Sequence, residues 1–131
     1  MCINYAHRGA SLYAPENTFA AFEMGIQMGA DGIETDIQRT RDGVLALHHD
    51  KDLSRTAGAT GRICDYTYEE LLAMDFGSYK ASDYRGERIV TLEQFLDRYA
   101  ARPLQFALEI KQEGIEQEVL CVINRFPCRS R

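Results

Sequence analysis

Apolar and polar residues along this chain follow two different periods. Gly32-Ile33-Glu34-Thr35-Asp36-Ile37 alternates strictly, with Ile33, Thr35 and Ile37 on one side and Glu34 and Asp36 on the other, the period of a strand. Shorter apolar stretches at 2–6 and 44–47 also predict strands, as does Gln105-Phe106-Ala107-Leu108-Glu109-Ile110-Lys111. Between them the period lengthens. Phe19, Phe22, Ile26 and Met28 predict a helix that opens after Pro15-Glu16-Asn17-Thr18, with Asn17 or Thr18 as its cap, and stops at Gly29. Thr91 caps a second helix, with Leu92, Phe95, Leu96 and Tyr99 as its buried stripe, and a third covers 115–126. Residues 51–90 are polar, punctuated by Gly58, Gly61, Gly77 and Gly86, and predict one short helix near 68–74.

The order strand, helix, strand, excursion, helix, strand, helix predicts an α/β fold of parallel strands with helices outside, joined by right-handed crossovers. Folds of this kind build their sites at the C-terminal edge of the sheet. Three predicted strands end there in ionisable residues: His7-Arg8, then Glu34 and Asp36, then Glu109 and Lys111. The shared edge weighs more than any one of them.

Composition narrows the function. Twenty acids against fifteen bases give a net charge of −5, which argues against a nucleic-acid module that works by neutralising phosphates. The longest apolar run, Val119 to Ile123, is five residues, far short of the roughly 20 that a membrane span needs. Residues 1–5 show no export pattern, and Cys2, Cys64, Cys121 and Cys128 contain no Cys-x-x-Cys pair. The expectation is a single domain over 1–131 in the cytoplasm, with free thiols.

Glu34 and Asp36, two apart on a strand, project from one face, and Glu109 arrives from a neighbouring strand. A carboxylate trio without cysteine suits a hard cation, Mg²⁺ or Ca²⁺, better than Zn²⁺. The competing reading makes Glu34 and Asp36 the solvated side of an edge strand, and Glu109 and Lys111 a salt-bridged strand end. The chain has three histidines, His7, His48 and His49. One at the first strand end and one after the 44–47 strand could serve as base and acid, against a capping or core role for His7 and an exposed one for His48. Arg8 and Lys111 read as phosphate clamps or as surface cations. Phe19, Phe22, Phe95 and Tyr99 are core by spacing.

His7-Arg8-Gly9, Pro15-Glu16-Asn17-Thr18, Gly29-Ala30-Asp31-Gly32-Ile33-Glu34-Thr35-Asp36, Asp42-Gly43, His49-Asp50, Leu53, Arg55-Thr56 and Glu109-Ile110-Lys111 occur in this order. Together they closely resemble the glycerophosphodiester phosphodiesterase family, over nearly the whole chain to about residue 125. The resemblance implies a partial TIM (β/α) barrel, roughly its first three β/α units, with a small insertion at about 50–90 that covers the site. It implies a divalent cation and hydrolysis of small-molecule glycerophosphodiesters to sn-glycerol 3-phosphate and an alcohol. By position, His7 and His49 match the catalytic pair, Glu34, Asp36 and Glu109 the metal ligands, and Arg8 and Lys111 the cations near the phosphate. His48 falls where the family is usually apolar, Ala57 replaces a usual Thr, and Val90 stands where Pro often precedes Thr-Leu.

A full barrel typically needs about 250 residues, so the resemblance implies a truncated or frameshifted product, or a fragment, with the basic ending 127–131 outside the pattern. An open sheet edge then favours self-association. Beside the hydrolase stand an inactive remnant or interaction module that keeps the ligand set, and a phospholipase-type phosphodiesterase of the same fold. Against the last, no basic amphipathic helix offers a membrane surface contact.

Overall fold

β2 (Gly32–Arg39) organises the sheet, because its backbone carbonyls point alternately to two edges. A computed structural model describes residues 3–126 of the chain. On one edge, the Glu34 carbonyl accepts from Arg8 N–H at 2.7 Å and the Asp36 carbonyl from His48 N–H at 3.0 Å. On the other, the Asp31 carbonyl accepts from Gln105 N–H at 3.1 Å and the Ile37 carbonyl from Lys111 N–H at 3.0 Å. β1 (Tyr5–His7) and β3 (Leu45–Leu47) thus follow one another along the first edge, while β4 (Gln105–Ile110) takes the second. β1 and β4 run parallel to β2.

Register then decides which side chains meet. His7 lies opposite Glu34 and Asp36 opposite Glu109, so these four share one face of the parallel ladder. The opposite face carries Ile33 and Ile37, fully buried under α1 (Phe19–Gln27), α4 (Leu92–Tyr99) and α5 (Glu116–Asn124). Phe22, Phe95 and Tyr99 interlock there edge to face, with Phe22 and Phe95 centroids 4.9 Å apart. Thr18 caps α1, its Oγ1 accepting from Ala21 N–H at 3.3 Å, and Thr91 with Gln94 forms a capping box on α4. Asn17 therefore does not cap, and Met28 lies beyond the helix, exposed.

β3 is antiparallel to β2. Residues 40–44 are too short for a parallel crossover, which takes a dozen or more, and they close a hairpin through Thr40 N–H to the Val44 carbonyl. The stretch 51–90 holds more than one helix: α2 (Ser54–Ala57), α3 (Tyr68–Leu72) and 3-10 turns at 63–65 and 82–84. Leu53, Ile63, Leu71, Phe76 and Ile89 gather with Ala46 of β3 into a second small core. Of the predicted strand at 2–6, Cys2 lies outside the described residues, as do 127–131 with Cys128; Cys64 and Cys121 are free and exposed. No helix among the described residues is long and apolar enough to cross a membrane.

The turn after β1 depends on Gly9. Its φ is +82°, and a Cβ there would lie 2.5 Å from the Ala21 backbone carbon. Gly9→Ala combines left-handed strain with a clash against α1, each costing about 1–3 kcal/mol. A fall in melting temperature on the order of 5–15 °C is expected; an unchanged melting curve by circular dichroism would show that the turn tolerates a side chain.

Candidate active site

Parallel register brings the predicted carboxylates together. Oxygens of Glu34, Asp36 and Glu109 all lie within 4.8 Å of one another. The Glu34/Asp36 side of β2 is not a solvated edge: Asp36 is completely buried and Glu34 half-buried, because Arg8, Asn17 and Lys111 close over that face. Glu109, at the strand end, stays exposed, with its Oε1 2.9 Å from Lys111 Nζ.

Asp36 is held from several directions. Asn17 Nδ2 donates to its Oδ2 at 3.1 Å, and Arg8 Nε sits 3.4 Å from the same oxygen. Asn17 is in turn fixed by Thr35 Oγ1, which donates to its Oδ1 at 2.6 Å. Both Arg8 and Asn17 adopt φ +58°, left-handed backbone that turns their side chains toward Asp36. Non-glycine residues in that region cluster at functional sites. The sequence pattern suggested a cap for Asn17; the tolerance of Asn for left-handed backbone was the available signal for this other role.

Two buried oxygens, Glu34 Oε1 and Asp36 Oδ1, have no hydrogen-bond partner, a costly condition for carboxylates. Lys111 Nζ approaches Asp36 Oδ1 only to 4.0 Å. Burial, reinforced by the charges of Asp36 and Glu109, pushes the Glu34 carboxyl up to about 7. Glu109 is held below its ordinary value, chiefly by its hydrogen bond to Lys111. Two buried hard oxygens without hydrogen-bond partners, where three carboxylates meet, fit a divalent cation of the Mg²⁺ or Ca²⁺ type.

His7 is 63% exposed, with Nε2 3.7 Å from Glu34 Oε1. His49 lies on the loop after β3, where its Nδ1 is 2.9 Å from Asp50 Oδ1. Gln38, a residue the sequence did not single out, anchors that loop by donating Nε2 to the His48 and Asp50 carbonyls at 2.9 and 2.7 Å. A cleft of about 440 Å³ joins His49 and Asp50 to Lys111, with Lys51 and Asp52 at its rim. His48 is buried, not exposed. Its Nδ1 meets the Asp50 carbonyl at 2.9 Å and its Nε2 the Thr56 hydroxyl at 2.7 Å, and its ring stands edge-on to Phe76. Burial lowers its proton affinity, so it packs as a neutral ring with both nitrogens engaged inside the fold.

Known proteins match this chain in sequence and in fold. YhdW of Bacillus subtilis (strain 168) is 45% identical over 125 residues, which cover 92% of this chain and 51% of that protein. The crystal structure of glycerophosphodiester phosphodiesterase from Agrobacterium tumefaciens superposes with a TM-score of 0.91 at 32% identity, over 96% of this chain and 54% of that one. A phosphodiesterase from Oleispira antarctica in complex with the product sn-glycerol-3-phosphate matches with a TM-score of 0.85 at 34% identity, over 95% of this chain and 53% of that one. The chain spans about half the length of the relatives it matches, and the sheet covers about half of their TIM barrel without closing it. The model of the glycerophosphoryl diester phosphodiesterase family matches residues 7–126, from the first site histidine to the end of the described chain, and the protein belongs to that family.

Proposed function

We propose that this chain carries the cation-binding and proton-transfer half of a site that hydrolyses glycerophosphodiesters to sn-glycerol 3-phosphate and an alcohol. The observation that carries the reading is the convergence of Glu34, Asp36 and Glu109 with two buried, unpartnered carboxylate oxygens beside His7. The product bound to the Oleispira relative supports the substrate class.

Glu34, Asp36 and Glu109 would hold Mg²⁺ or Ca²⁺, which when bound supplies Lewis-acid polarisation of a phosphate oxygen. Arg8 is oriented for the phosphate itself. Its guanidinium is drawn in by Asp36 and Glu16, with Nε 3.4 Å from Asp36 Oδ2 and Nη1 3.4 Å from Glu16 Oε1, which fixes a positive charge beside the carboxylates for the phosphate. Lys111 adds a second positive charge. Of His7 and His49, one removes the proton from the attacking oxygen and the other protonates the departing alkoxide.

The competing reading is an inactive module that associates through its sheet edges. It draws on β1 and β4, each of which pairs with β2 alone among the described residues. One experiment separates the two. Gel-filtration fractions are assayed for glycerol 3-phosphate released from glycerophosphocholine, with and without EDTA. Metal-dependent release from a defined species is the expected result. No release at any metal concentration supports the inactive module, and release unaffected by EDTA removes the cation from the proposal.

A further inference from the structure

We propose that Arg55, on the first helix of the 50–90 insertion, is a positioning residue for His49: it locks the Asp50 carboxylate that orients the imidazole, with Glu16 as counter-anchor. The inference rests on the reading of His49 as a proton-transfer group.

One guanidinium grips two carboxylates from different parts of the chain. Arg55 Nε and Nη2 donate to Asp50 Oδ2 and Oδ1 at 2.9 and 3.0 Å. Its Nη1 and Nη2 donate to Glu16 Oε1 and Oε2, both at 2.9 Å. These bonds use four of the five N–H donors that a guanidinium offers. Asp50 Oδ1, already held by Arg55, also meets His49 Nδ1 at 2.9 Å. The imidazole is therefore bound to an oxygen that has little freedom to move.

The counter-anchor is itself fixed. The Glu16 side chain is only 8% exposed, its backbone N–H donates to Tyr79 Oη at 3.1 Å, and Arg8 Nη1 lies 3.4 Å from its Oε1. Arg8 in turn contacts Asp36. A continuous run of ionic contacts thus passes from Asp36 through Arg8, Glu16, Arg55 and Asp50 to His49. It ties the loop before α1, the loop after β3 and the insertion to one another, which gives the insertion a role beyond covering the site.

The chemical consequence concerns the tautomer. Burial opposes ionisation of Glu16, but the hydrogen bonds and charge of Arg55 outweigh it and hold that carboxyl below its ordinary value. Asp50 is held far below its own, first by Arg55. Both are anions at neutral pH and can only accept hydrogen bonds. The neutral ring must then carry its proton on Nδ1, donated to Asp50, and present Nε2 as the nitrogen that takes or returns a proton. Oxygens of Glu16 and Asp50 with a nitrogen of His49 also fall within 4.8 Å of one another. Such a group could pass for a second cation site, but Arg55 already bridges its carboxylates.

The test is long-range ¹H–¹⁵N correlation of the histidine rings in the full chain, where His7, His48 and His49 give the three signals. Substituting each histidine by Gln assigns them. Wild-type protein should show His49 as the Nδ1-protonated tautomer. Arg55→Gln should convert it to a mixture while the His7 signal stays in place. Arg55→Lys should not rescue it, because one ammonium cannot span both carboxylates. In the glycerophosphocholine assay, Arg55→Gln should lower kcat by about 10–100-fold and leave KM within about threefold. A His49 tautomer that is unchanged in folded Arg55→Gln overturns the proposal. If that variant does not fold, Glu16→Gln and Arg55→Lys decide on the same spectrum. A tautomer that responds in a chain without diesterase activity sinks the hydrolase reading and keeps the contact. An unchanged tautomer in an active chain does the reverse.

Discussion

Substituting His7 or His49 by alanine is expected to reduce glycerophosphocholine hydrolysis by about 10²–10⁴-fold, the range over which positioned acid–base groups act. The two substitutions should differ in kind. His7 stands at the end of β1, largely exposed, with Glu34 as its charged neighbour, so His7→Ala also removes a contact to the carboxylate trio. His49 is held by Asp50 and faces the cleft that Lys111 lines, so His49→Ala takes from the trio only a charge interaction with Glu109. Cation binding, followed by calorimetry with Mg²⁺ or Ca²⁺, should therefore persist in His49→Ala and weaken measurably in His7→Ala. Turnover within threefold of wild type for either variant would take that histidine out of the reaction.

The second large effect is on stability. Without a cation, burial and the charges of Asp36 and Glu109 raise the Glu34 carboxyl from an ordinary 4.5 to about 7. The folded state then binds a proton that the unfolded state has released, so its stability falls as pH rises through the window from about 4.5 to about 7. Glu34→Gln should flatten that slope and raise the melting temperature of the metal-free protein at pH 8. A divalent cation reverses the penalty because it binds the ionised carboxylates. At a free concentration 100 times its dissociation constant it adds about 2.7 kcal/mol, with most of the gain above pH 7 and little at pH 5. Identical pH–melting curves for wild type and Glu34→Gln, with no response to Mg²⁺ or Ca²⁺ at pH 8, would show that the three carboxylates do not act as one site.

Periodicity and chemistry coincide most plainly in β2. The alternation from Gly32 to Ile37 announced β2, and its two acids announced the site. What alternation could not say is whether the acidic side faced water or the interior. That depended on β1 and β4 flanking β2 and on Arg8 and Asn17 folding over Asp36. The hairpin at β3 is open to prediction from its short connection, which is too brief for a parallel crossover. The 50–90 stretch predicts only one short helix because its apolar residues, Leu53, Ile63, Leu71, Phe76 and Ile89, follow no period. They become a core only when the chain folds back on Ala46.

Asn17, Glu16, Gln38, Asp50 and Arg55 mark the same boundary. Each sits in or beside a recognisable motif, yet hydrogen-bond partners as far apart as Glu16 and Arg55 carry no mark in local sequence. The ordered set of motifs from His7-Arg8-Gly9 to Glu109-Ile110-Lys111 was specific enough to mark the family. Only the folded chain decided that Asp36 is buried beneath Arg8 and Asn17, that His48 is a packing residue and that the insertion grips the His49 loop through Arg55. Those facts come from strand register and loop closure, which bring together positions that the linear pattern keeps separate.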